Sequence, residues 1–284
     1  SQDKAERKSH LGVIDQYADK PLLMLEFMSD QISPFASIDV LEGRELKGRQ
    51  KLKNRRQQFL WAEGFIEKAV IERIFIGNDR SVFGQFFIKQ AKANDIKTSA
   101  CYLDDGVFTY LGRKASHNWG ERYLDSIFKK LAYGFWYDVP ATVGASKWID
   151  QLWVMYPELV NKDLKLKQTV EILPETRGFE KLKPLSEQVM NQLGISLTEL
   201  SSLDVLITLP NETVFSKIDG YQEKMKMLVS SLIGQQKKVA IKYHPAAGER
   251  DILGLESLGA VKLPANVSFA VSYTHLTLPT SHNV

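Results

Sequence analysis

Lys97-Thr98-Ser99-Ala100-Cys101-Tyr102-Leu103-Asp104-Asp105-Gly106 is the stretch on which the fold of this 284-residue chain turns. Its first seven residues make a short β-rich run, and the acid, acid and glycine that follow stop it. A second run, Lys238-Val239-Ala240-Ile241-Lys242-Tyr243, is stopped by His244-Pro245. Both read as buried strands with reactive side chains at their carboxyl ends. In open α/β sheets, ligands sit in the crevice beyond those ends. Asp104 and His244 lie too far apart in sequence for one compact motif, which suits one crevice wall in each of two domains, with chemistry between them.

Outward from the first run, residues 71–76 read as a β-branched strand ending in Gly77-Asn78-Asp79-Arg80. Residues 81–94 then read as an amphipathic helix with Phe83, Phe86, Phe87 and Ile88 inward. Strand, helix and strand in this order favour parallel pairing. Asn78-Asp79 fits either a turn with a helix cap or a place beside the acceptor or nucleotide. Phe59, Phe65 and Val70 give residues 57–70 a helical spacing. The aromatic stretch of Trp119, Tyr123, Phe128, Tyr133, Phe135, Trp136 and Tyr137 is expected chiefly in the core, with a few rings lining the cleft. Further strands are expected at 10–15, 151–156, 168–172, 204–209 and 260–263, and further helices at 185–193 and 216–232. Residues 174–183 loosen into proline, glycine and charge, so the expected division is 1–176 and 177–270.

Both ends carry expectations of their own. The start lacks methionine, and an α/β domain would ordinarily have a strand and helix before residue 10, so the chain reads as truncated there. Residues 271–280 resemble the translation of an adapter used in sequencing libraries, which sets 271–284 aside as a non-native tail and removes His275 and His282 as candidate ligands.

A composition 44% hydrophobic and 25% charged is that of a globular protein. No apolar run approaches the roughly 20 residues that span a bilayer. The single cysteine, Cys101, cannot form an internal disulfide, so a cytoplasmic setting is expected and the thiol is assigned to strand core. A net charge of +3 does not demand a nucleic-acid partner. Arg44, Lys47, Arg49, Lys51, Lys53, Arg55 and Arg56 nevertheless crowd together before the helix at 57–70. They are either a solvated face or a contact for an anionic surface, the inner membrane leaflet or a polyanionic acceptor.

The two strand ends suit glycosyl transfer. An incoming hydroxyl must lose its proton as it attacks an anomeric carbon, and a carboxylate can accept it. Asp104 and Asp105 are candidates, and adjacent side chains of an extended segment point to opposite faces. One is therefore expected to face the cleft and the other to hold the loop, while Gly106 allows a tight turn and close approach of substrate. His244, biased to extended geometry by Pro245, can stabilise a departing phosphate or protonate it. There is no HExxH, zinc cluster, Walker loop or GxGxxG fingerprint, and metal-independent chemistry is expected.

Leu103-Asp104-Asp105-Gly106 followed by Tyr243-His244-Pro245 resembles the paired acidic-acidic-Gly and His-Pro motifs of bacterial sialyltransferases, including the lipooligosaccharide and polysialic-acid enzymes. Gly77-Asn78-Asp79 and Asp204-Val205-Leu206-Ile207-Thr208-Leu209-Pro210 add to the likeness, which runs from about Ile71 to Leu263. The resemblance implies a GT-B architecture of two Rossmann-like domains facing a cleft, with CMP-sialic acid held by the second and a bacterial surface glycan by the first. It implies an inverting, metal-independent transfer with no cofactor. Asp105, or else Asp104, is the implied general base, and His244 the CMP-phosphate ligand and acid, with Pro245, Gly106 and Asn78 in the binding region. The family's Ser-Ser or Ser-Thr motif after His-Pro has no counterpart here: Ser201-Ser202 comes too early and Ser268 lacks its neighbour. That motif is expected beyond the adapter junction. The alternatives are another GT-B transferase with a CMP-Kdo or CDP-glycerol donor, and a noncatalytic glycan- or nucleic-acid-binding protein. A sialyltransferase would be cytoplasmic, or peripheral on the inner membrane.

Overall fold

The computed structural model describes residues 8–14, 33, 35–41, 43, 48–104, 107–112, 119–172, 176–244 and 247–264. The chain forms a mixed α/β fold of two compact units: the first takes in the described residues at 14 and 41–172, the second those at 8–13, 33–40 and 176–264. The two-stranded sheet of β1 (His10–Ile14) and β2 (Ser37–Leu41) comes first in sequence but belongs almost wholly to the second unit.

The first unit holds a four-stranded, wholly parallel sheet of β3 (Arg73–Ile76), β4 (Ser99–Leu103), β5 (Gln151–Val154) and β6 (Gln168–Glu171), in that order. Parallel neighbours need a crossover between them. Helix α1 (Gly48–Ile66) precedes β3, and α2 (Val82–Asn94) makes the first crossover. Helices α3 (Val107–Leu111) and α4 (Trp119–Tyr133) lie between β4 and β5, and two 3-10 turns, Pro157–Leu159 and Lys162–Leu164, between β5 and β6. The β4 sequence alternates in destination: Ala100 and Tyr102 enter a core with Ile88, Leu152, Val154 and Leu164. Cys101 points the other way and is also buried, which pushes its thiol above the ordinary value and leaves it a poor nucleophile.

The C-terminal part of the second unit begins with α5 (Thr176–Gln192) and α6 (Leu197–Ser201), and its larger sheet is the parallel β7 (Val205–Thr208), β8 (Val239–Lys242) and β9 (Val261–Leu263), with β8 central. Between β7 and β8 come α7 (Glu212–Phe215) and α8 (Tyr221–Gly234). Every residue of β8 is buried. Val239 and Ile241 pack with Val229 of α8, whereas Ala240 packs with Met190 of α5 and Leu200 of α6. A strand covered on both faces reads as a continuous apolar run, which is why this one was visible in sequence.

Three expectations are corrected. The basic stretch at 49–56 does not precede a helix but forms its first half, because Lys, Arg, Gln and Leu are all strong helix formers and nothing between Gly48 and Ile66 breaks them. The helix expected at 216–232 starts later, at Tyr221, because Gly220 before it is left-handed at φ +68°, and the separate α7 ends before that region begins. The aromatic stretch is not chiefly core. Tyr137 is buried and Trp136 half-buried, but Phe128 and Phe135 are exposed.

Candidate functional site

Because the four-stranded and three-stranded sheets are parallel, the carboxyl ends of the strands in each share one edge. In the first unit that edge carries Asn78 beyond β3, Asp104 beyond β4, and Met155 and Tyr156 beyond β5.

Asp104 continues the β4 pairing, its N–H donating to the Trp153 carbonyl at 3.0 Å. Its Oδ2 accepts two hydrogen bonds, one from the Tyr110 hydroxyl and one from the Met155 N–H at 3.3 Å. The Tyr156 N–H donates to the Tyr110 hydroxyl at 3.3 Å, and the two rings meet edge to face at 5.8 Å. Burial, then the hydrogen bond to Asp104 and its negative charge, push the Tyr110 pKa up to about 12. The hydroxyl therefore remains a donor at neutral pH. Helix α3 is held from its other side as well: Thr109 meets the Tyr102 hydroxyl at 3.1 Å, and its carbonyl accepts from Asn161 N–H at 3.2 Å. Asp104 thus has its side chain built into the turn. Asp105 and Gly106 lie outside the described residues.

Asn78 is exposed, and its Oδ1 accepts from the Arg80 N–H at 3.1 Å, which is a local turn. Ser81, not Asn78, caps α2, its hydroxyl accepting from Gly84 N–H at 3.2 Å. The neighbouring Asp79 is 0% exposed. Its Oδ1 accepts from Gly144 N–H and its Oδ2 from Ser146 N–H, both at 2.8 Å. Burial raises its pKa, against the pull of those two hydrogen bonds and of the Arg80 and Lys167 charges. The carboxylate pins the 142–146 loop, where Gly144, at φ +86°, comes so close to the Tyr102 ring that an added Cβ would stand 3.2 Å from it. Asp79, Gly144, Tyr102, Thr109 and α3 therefore form a continuous chain of contacts leading to the helix that holds Asp104.

In the second unit the corresponding edge carries Asn211 beyond β7 and His244 beyond β8. His244 is half-buried, and its carbonyl accepts from Ala247 N–H at 2.8 Å. The Asn211 side chain is oriented by Thr213, whose N–H and hydroxyl both donate to Oδ1 at 2.9 Å. That turns the amide nitrogen toward His244 Nδ1, 3.4 Å away. With Asn211 donating, Nδ1 is the acceptor and a neutral ring carries its proton on Nε2. Beside this pair a cavity of about 330 Å³ is lined by Asn211, Glu212, Thr213, Ser216 and Ala247. Pro245 lies outside the described residues. The strand end is braced by Tyr243, whose hydroxyl donates to Asp251 at 2.6 Å and accepts from Leu253 N–H at 3.0 Å.

Sequence reasoning singled out Asp104 and His244 and passed over Tyr110, Asn211, Thr213 and Ser216. Asn211 follows Pro210 at a strand end, the one signal that could have marked it; the others come to their places only through the turns between sheet and helix. Among the described residues, no group of three or more His, Cys, Asp or Glu is gathered as a metal-ligand set, and no helix is long and apolar enough to cross a membrane. No protein-family model matches the chain, and no curated protein does.

Proposed function

We propose that this protein is a GT-B glycosyltransferase that moves sialic acid from CMP-sialic acid to a bacterial surface glycan, with inversion and without a metal. The observation that supports the reading best is the setting of the two motifs. Asp104 and His244 each stand just beyond the carboxyl end of a parallel strand, the position where open α/β sheets place their chemistry, and the Asn211 amide beside His244 lines a cavity.

In the proposed reaction, the acceptor hydroxyl oxygen bonds to the anomeric carbon as the bond from that carbon to the CMP phosphate oxygen breaks. The hydroxyl proton passes to Asp105, and CMP leaves with the bonding electrons. Asp104 is the acid of the pair that holds the turn, a reading supported by the hydrogen bonds it accepts from Tyr110 and Met155. His244 binds the CMP phosphate and stabilises or protonates it on departure. The amide and hydroxyls of Asn211, Thr213 and Ser216 line a cavity suited to the polar groups of a nucleotide. Pro245, Gly106 and Asn78 belong to the same binding regions. The reading carries with it a cytoplasmic location, peripheral on the inner leaflet, and an anionic contact for the basic half of α1.

The protein incubated with CMP-sialic acid should release CMP only when a glycan acceptor is added. Asp105→Asn and His244→Ala should each lose at least about 100-fold in turnover, the scale of a general acid or base. Unchanged rates in both variants reject the mechanism. CMP-Kdo and CDP-glycerol run in parallel decide the donor, and release from either in preference to CMP-sialic acid overturns the sialyl assignment.

A further inference from the structure

The apolar side chains described in helix α4 from residue 124 onward are exposed. Leu124, Ile127, Phe128 and Leu131 recur at helical spacing along one stripe, and Phe135 continues it past the helix end. Phe128, Leu131 and Phe135 are 67%, 71% and 81% exposed, and Leu124 and Ile127 are exposed as well. Lys129 and Lys130 follow Phe128 directly, and Lys129 lies over the Tyr137 ring at 5.6 Å. Such a stripe on a protein surface requires a cover.

The neighbouring helix indicates which cover. Trp136, three residues beyond α4 as the chain leaves Gly134, packs edge to face against Phe59 of α1 at 6.2 Å and against Phe86 of α2 at 5.7 Å. Helix α1 thereby adjoins the end of the stripe. It exposes Arg49, Lys51, Lys53 and Arg56 together with Leu52 and Leu60, and Glu63 is the one carboxylate in its sequence. The first unit therefore presents a basic helix and an apolar one next to each other.

We infer that α4 and α1 form a membrane-docking surface, in which the α4 stripe enters the acyl boundary of an anionic bilayer while the basic residues of α1 meet its phosphates. A bilayer supplies both negative charge and a place to bury phenyl and leucyl side chains. A polyanionic glycan supplies only the charge. A second copy of the chain supplies only the apolar cover and brings another basic helix near this one. The inference rests on the peripheral location proposed above and not on the donor chemistry, since its test contains no nucleotide.

The whole protein is sedimented with vesicles of phosphatidylcholine containing one part in about four of phosphatidylglycerol, and with vesicles of phosphatidylcholine alone. Binding to the anionic vesicles should be at least about tenfold tighter and should fall with salt. Phe128→Ser with Leu131→Ser should weaken it by about tenfold or more, and so should Phe135→Ser alone, all at exposed positions that leave the circular dichroism unchanged. Replacing Arg49, Lys51, Lys53 and Arg56 by Gln should cost about fivefold per residue. Equal binding to the two vesicle types, or no binding to either, overturns the inference. So does a dimer, seen by light scattering, that Phe128→Ser with Leu131→Ser dissociates without changing vesicle binding.

Discussion

Asp79 and Asp104 each follow a strand in the same sheet, and both carboxylates hold nearby turns. Asp79 uses both oxygens, one for Gly144 and one for Ser146. Asp104 accepts from Tyr110 and Met155 on Oδ2. An asparagine has a single carbonyl oxygen, so it cannot replace Asp79. Asp79→Asn should destabilise the protein by about 1–3 kcal/mol, because an amide N–H₂ then faces a buried backbone N–H; urea denaturation measures it. Asp104→Asn, which keeps an oxygen for Tyr110 and Met155, should keep CMP release that Asp105→Asn loses, and equal loss in the two would move the base to Asp104. Titration gives a further check. Tyr110 has a folded pKa raised from 10.0 to about 12. Its protonated form is the one the fold favours, so its contribution is present below pH 10.0 and is lost as pH rises toward about 12. Tyr110→Phe should flatten that alkaline decline. None of this was legible in sequence. Two aspartates after two strands look alike until the loops that face them are in place.

Between residue and unit, the strands were the most legible elements and the helices the least. Val239–Lys242 is buried on both faces and Ser99–Leu103 nearly so, and such runs announce themselves as continuous apolar sequence. Helix boundaries depend on breakers, and the basic run before Phe59 contains none, so α1 reaches back to Gly48. The aromatic stretch shows the limit of periodicity. The stretch was expected chiefly in the core with no helix assigned to it, and whether the α4 stripe meets the core or something outside depends on how Trp136 and Tyr137 turn the chain after Gly134. Gly144 is an element-scale position sensitive to change. Its backbone is left-handed, and an added Cβ would press on the Tyr102 ring. Gly144→Ala should cost about 1–3 kcal/mol in thermal or urea unfolding. It should also lower CMP release, since Tyr102 and Thr109 connect that loop to the helix that bears Tyr110.

At the scale of the whole molecule, two compact units with separate sheets make a single unfolding free energy ill-defined. All five tryptophans, at 61, 119, 136, 148 and 153, belong to the first unit. Tryptophan fluorescence therefore follows that unit alone, while circular dichroism follows both. Asp79→Asn should shift the fluorescence midpoint in urea and leave a second dichroism transition unmoved; coincident shifts in both would show that the units unfold as one. Acid should act in opposite directions on the two. Burial raises Asp79, so its stabilising effect is greatest below the ordinary 3.8 and declines as pH rises through the folded value. Burial also acts to raise Asp251 in the second unit, but its hydrogen bonds from Tyr243, Glu256 and Leu255 outweigh it and hold the group lower, so its contribution is present above 3.8 and lost as pH falls through the folded value. By itself the sequence determined the α/β class, the strands and the two motifs at their ends, because strand burial and chain-stopping residues are local properties written in consecutive positions. Only the tertiary structure decided which aspartate holds a turn, which polar side chains gather beside His244 and which helix leaves its apolar stripe uncovered, because hydrogen bonding and exposure are set by residues distant in the chain.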